Sequence, residues 1–202
     1  MRSNALNIST PVHNEIKNEP LMDYSEIINR SLIVARQLEL YLRDLKVLTK
    51  SSLSNSKNDS KYQSKLHGLA WVATYVEALK QMSIWAHKLS KSQSFTKTEK
   101  IILILSFNEY LNQLYGGIIM SQNEIIRPVD LDYKKEAIER LNSKEVLFFK
   151  DGVDVDHLRS ELIELIQNNE TTAFIGNDGL DDDQTVIRNE FHKFSKEKIE
   201  PF

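Results

Sequence analysis

The sequence has no cysteine, and only four prolines and six glycines in 202 residues. Without thiols it can form no disulfide, and both thiolate catalysis and the commonest zinc frameworks are excluded. So few breakers mean few turns and long elements, which favours helices. Neither charge sign dominates. The 26 basic and 29 acidic residues leave a net charge of −3, interspersed along the chain, without the basic footprint that nucleic acid demands. The first twenty residues lack the apolar run of a signal peptide, and Ile101–Leu105 falls far short of the ~20 apolar residues of a membrane span. A cytoplasmic protein with no nucleic-acid or membrane partner is the expectation. What is present is 41% hydrophobic and 27% charged residues, enough apolar material for the core of one domain of ordinary size.

The stretch from Leu66 to Pro128 holds both tryptophans and the Gly116-Gly117 pair. Around it the apolar spacing predicts an all-α architecture, a bundle of long helices followed by a linker and a terminal amphipathic helix. Residues 1–22 are polar and without periodicity, and are expected to be disordered. A first helix starts near Asp23 or Ser25, where Asp23 and Glu26 have capping-box spacing, and lines up Ile27, Ile28, Val34, Ala35, Leu38, Tyr41, Leu42, Leu45 and Leu48. The polar run Ser51–Ser60 stops it. A second helix, about Tyr62 to Leu89, carries one stripe at Val72, Tyr75, Leu79, Met82, Ala86 and Leu89, and a neighbouring one at Trp71, Ala78 and Trp85. Thr96 or Thr98 caps a third helix, apolar all round at Ile101–Leu105 and therefore central. Two shorter helices are expected at Leu131–Asn142 and Val155–Gln167, separated by the turn Lys150-Asp151-Gly152. Residues 23–168 form the bundle, 169–180 the linker, and 181–202 a last helix that opens on Asp181-Asp182-Asp183 and presents Val186, Ile187, Phe191, Phe194 and Ile199 on one face.

Candidate chemistry is sparse. His67, His87, His157 and His192 are isolated, and His157 with Glu161 reads as a surface ion pair. The acidic runs Asp151–Asp156 and Asp178–Asp183 fail as calcium loops, because counting back from Gly152 or Gly179 puts Leu147 or Phe174 where the first carboxylate belongs. Glu77, Glu109 and Glu124 lack the histidine three residues on that a di-iron site pairs with each glutamate. No catalytic residue and no metal ligand set is assigned. Gly116-Gly117 reads as a helix stop or a close helix approach, and its other reading, a phosphate-approach site, depends on the resemblance that follows.

The tail adds a resemblance. Ile187-Arg188, Phe191, Phe194, Glu197 and Ile199-Glu200-Pro201 resemble the entry helix of the acyl-CoA dehydrogenase family. Leu66–Met82 together with Gly116–Leu131 resembles the long extension that one branch of that family carries before its dehydrogenase core. The resemblance spans about Ser25 to Phe202. It implies FAD and a catalytic glutamate in the complete enzyme, and neither matches a residue here. Gln113-Leu-Tyr-Gly116-Gly117 and Glu124-Ile-Ile-Arg127-Pro128 also echo a segment of the family's C-terminal helical bundle that approaches FAD. That echo makes Gln113, Gly116 and Gly117 the candidate cofactor contacts, with Ile119 standing where the family has a further glycine.

The resemblance implies the N-terminal part of an FAD-dependent acyl-CoA dehydrogenase, inactive alone, that packs against the remainder of the core in cis or as a separate chain, or forms a homo-oligomer. The rival is a stand-alone helical interaction protein with no enzymatic descent.

Overall fold

The computed structural model describes residues 23–53, 60–131, 139–168 and 180–200. The segments expected to be the disordered N-terminus, and all of the linker but residue 180, lie outside the described residues. What is described is all-α but for one small hairpin. Its helices are α1 (Tyr24–Leu53), α2 (Ser60–Lys91), α3 (Lys97–Gly116), α4 (Lys144–Asp151), α5 (Val155–Gln167) and α6 (Asp182–Lys198). The hairpin is β1 (Ile118–Ser121) with β2 (Glu124–Ile126), and a 3₁₀ turn follows at Pro128–Leu131.

The helix starts follow their caps. Asp23 accepts at its carbonyl from the Glu26 and Ile27 N–H groups, at 3.0 and 3.2 Å, while Glu26 pairs forward with Arg30 at 2.7 Å. Thr96 opens α3, its N–H donating to the Glu99 carboxylate at 2.8 Å. Asp181 opens α6 by accepting from the Gln184 N–H at 2.8 Å, and Gln184 accepts in return from the Asp181 N–H at 3.1 Å. That reciprocal pair satisfies two of the donors a helix start leaves open.

The core forms where the stripes meet. From α1 it takes Ile27, Ile28, Val34, Leu38, Tyr41 and Leu45, and from α2 Val72, Val76, Leu79, Ala86 and Leu89. Leu42 and Leu48 of the expected α1 stripe are only half-buried. Tyr75 and Met82 are half-buried too, as are Trp71 and Trp85, so the tryptophan stripe is the margin of the core and not its centre. Helix α3 is central as expected, with α1, α2, α4, α5 and β1 packed around it. Ile101, Leu103, Ile104 and Phe107 are buried, whereas Ile102 and Leu105 are half-buried. Lys80 joins Glu39 at 3.1 Å across α1 and α2, and Lys97 joins Glu161 at 2.6 Å across α3 and α5.

Beyond α3 most of the helix expected at Leu131–Asn142 lies outside the described residues. Leu131 ends the 3₁₀ turn, residues 132–138 are outside the described set, and only 139–141 are described as helical. Helix α4 is an addition to the expected elements. Ser143 caps it, accepting from the Val146 N–H at 3.2 Å and donating to Gln37 of α1 at 2.7 Å. Its Val146 and Phe149 are buried, with the Phe149 ring 4.8 Å from that of Phe107. Buried Asn108 donates to the Phe149 and Lys150 carbonyls at 3.0 and 2.9 Å, closing the end of α4 against α3. Helix α5 spans the expected residues. No described helix is long and apolar enough to cross a membrane.

Candidate functional site

The glycine pair sits where α3 turns into the hairpin. Gly116 is the last residue of α3, exposed, with open space where a side chain would stand. Gly117 has φ +126°, a conformation that L side chains rarely adopt, and its N–H donates to the Gln113 carbonyl at 2.8 Å. A Cβ at Gly117 would lie 2.7 Å from Ile125 Cγ2 and 3.1 Å from Arg127 Cγ, so residue 117 must be glycine on two counts. The chain then runs straight into β1, with Ile118 opposite Ile126 and Ile119 opposite Ile125. Ile118 and Ile126 point into the core, while Ile119 and Ile125 stay exposed. The pair is therefore a helix stop and a close-approach turn together.

Gln113 is held within the bundle. Its Oε1 accepts from the Tyr75 hydroxyl at 2.6 Å, and its Nε2 donates to Glu109 at 3.0 Å. Burial, then the neighbouring Tyr110 and Glu109, raises the Tyr75 phenol above its ordinary pKa, which keeps it a donor. Both ends of the Gln113 amide are engaged within the bundle, and the Gly117 N–H is engaged at the helix stop. These contacts link α2 to α3 and turn the chain.

The remaining titratable candidates disperse. His67 Nε2 accepts from the Trp71 indole N–H at 3.0 Å, a contact within one helix turn. Glu161, expected beside His157, pairs with Lys97 instead. Glu77 meets Lys80 at 3.6 Å and Gln81 at 2.7 Å, Glu109 meets Arg159 at 3.7 Å, and Glu124 lies exposed on β2. The acidic runs serve as helix caps through Asp154, which accepts from the His157 N–H at 3.0 Å, and Asp181. Among the described residues no three His, Asp or Glu side chains converge.

Sequence reasoning did not single out Tyr115. Its hydroxyl donates to the Leu141 carbonyl and lies 2.7 Å from Asn142 Oδ1, while Lys150 stands 4.8 Å over its ring. Burial, with Asp151 nearby, pushes the phenol up to about 12. Tyr41 is raised further by burial and by Tyr115. An aromatic hydroxyl four residues beyond a core leucine carries no sequence signal of its partner 26 positions away.

Among the described residues no metal-ligating group converges. A comparison with known proteins supplies what geometry does not. The chain is 36% identical over 151 residues to a (2S)-methylsuccinyl-CoA dehydrogenase of Cereibacter sphaeroides. The relationship is acyl-CoA dehydrogenase-like. The match takes in 73% of this chain and 26% of the relative, so the chain spans about a quarter of that protein's length. No protein-family model matches the chain.

Proposed function

We propose that this chain is the N-terminal part of an FAD-dependent acyl-CoA dehydrogenase close to (2S)-methylsuccinyl-CoA dehydrogenase, and that it works there as a packing and oligomerisation module. The observation that carries this reading is the coverage of the match, nearly three quarters of this chain against a quarter of the relative. A quarter of an enzyme that consists of helices packed on helices suits a structural extension. Residues 23–168 form the extension, 169–180 link it to the core, and 181–202 start the dehydrogenase domain proper. Chemistry, FAD and the acyl thioester belong to the remainder of the enzyme, in cis or as a separate chain in the cytoplasm.

The α6 face favours the same reading. Val186, Ile187, Phe191 and Phe194 are all more than half exposed, and no residue of α6 is buried. Five large apolar side chains, counting Ile199, have their natural cover elsewhere.

The test is a chimera in which this chain replaces the matched quarter of the Cereibacter sphaeroides enzyme. It should fold, bind FAD and oxidise (2S)-methylsuccinyl-CoA with an artificial electron acceptor. A chimera that cannot fold or turn over, beside a native control that does, contradicts the reading.

A further inference from the structure

A second uncovered apolar surface lies on the bundle itself. Between α2 and α3 runs an open groove of about 330 Å³ lined by Ala78, Gln81, Met82 and Trp85 on one side and Ser106 and Tyr110 on the other. Its polar members are neutral. The acids beside it are already engaged inside the chain, Glu77 with Lys80 and Gln81, and Glu109 with Gln113 and Arg159. Leu79, which also lines it, is buried in the core, and the Tyr110 ring on its wall stands 4.5 Å from that of Tyr75.

The geometry points to this groove as the seat of a helix from the rest of the dehydrogenase polypeptide, packed by its apolar face. The inference rests on the proposed function and gives the packing role a surface. Three features commit it to that occupant. Two helices flanking an apolar cleft are the geometry that receives an amphipathic helix through anchors at i, i+3 or i+4, and i+7. The rim charges are paired within the chain, so the groove offers its apolar walls more than a patch of one charge sign, which suits a permanent neighbour that folds with the bundle. And about three quarters of the relative's chain lies outside the match, which is ample to supply the helix. Trp85 and Tyr110 are of the types that concentrate energy at such contacts.

The test compares Met82→Glu and Ser106→Glu in the isolated chain and in the chimera described above, with Val47→Glu, 64% exposed on α1, as control. A charge placed in a covered groove should lower the chimera's Tm by at least about 5 °C more than that of the isolated chain, several times the control's shift. Equal shifts in both contexts would show the groove uncovered in the enzyme and overturn the inference while leaving the proposed function standing. A dimer of the isolated chain in sedimentation that Met82→Glu dissociates would put a second copy in the groove, and also overturns it. A native-groove chimera that fails to fold contradicts both the inference and the packing reading beneath it.

Discussion

The side chain of Ile126 fills the space where a side chain at Gly68 would stand. A Cβ on Gly68 would come within 2.4 Å of Ile126 Cγ1 and 2.6 Å of its Cδ1. The hairpin that leaves α3 can lie on α2 only because α2 has a hole at residue 68, and the same hairpin requires Gly117 at its base. Two glycines thus tie the organising stretch together, one by absence of bulk and one by backbone angle.

Gly68→Ala should destabilise the protein despite alanine's better helix propensity. Overpacking costs about 1–3 kcal/mol, against a gain of about 1 from propensity. Gly116→Ala, with open space around its site, should be neutral or stabilising by up to about 1 kcal/mol. Urea melts of the two variants decide the matter, and equal effects would mean that the hairpin does not seat on α2.

Helix α3 should be the most sensitive to truncation. Leu103, fully buried, should cost about 2–5 kcal/mol as alanine. Leu105, half-buried, should cost less than Leu103. Lys88→Ala on an exposed turn of α2 should stay within about 0.5 kcal/mol. Denaturant midpoints at constant slope give the order directly.

Stability should fall in alkali, in part through Tyr115. Its folded pKa is raised, so the neutral phenol is favoured in the folded protein. The contribution is complete below the unfolded phenol's pKa of about 10, and it is lost as pH climbs from there through about 12. Tyr115→Phe should lower stability at neutral pH and flatten this decline, with Tyr41 supplying the part that remains. Unfolding free energy measured between pH 8 and alkaline pH tests the difference. Parallel curves for the two proteins would remove Tyr115 from the account.

The last helix should exchange its amide hydrogens quickly in the isolated chain. With no buried residue in α6, weak protection from Asp183 to Lys198 and strong protection from Ile101 to Leu114 are expected. Protection of α6 equal to that of α3 would place it in the bundle and move the boundary drawn at 169–180.

Much of this fold was legible because its signals are local. The caps Thr96 and Asp181, the extent of α5 and the all-round apolarity of α3 each reside in a short window of sequence. The hairpin was not legible. Its strands are four and three residues long, the Gln122-Asn123 turn has none of the usual glycine signals, and Ile118-Ile119 reads as a continuation of helix. Helix α4 was hidden by its shortness, eight residues whose stability comes from Asn108 and Phe107 far along the chain. The surroundings of Gln113 were hidden for the same reason. Nothing local to Gln113 announces that Tyr75 will claim its carbonyl.

The claim that this chain packs and does not react is tested most directly by assaying the purified chain alone. Flavin absorbance should be absent after purification in excess FAD, and methylsuccinyl-CoA should not be oxidised with an artificial electron acceptor. Stoichiometric FAD with turnover by the chain alone would contradict the account.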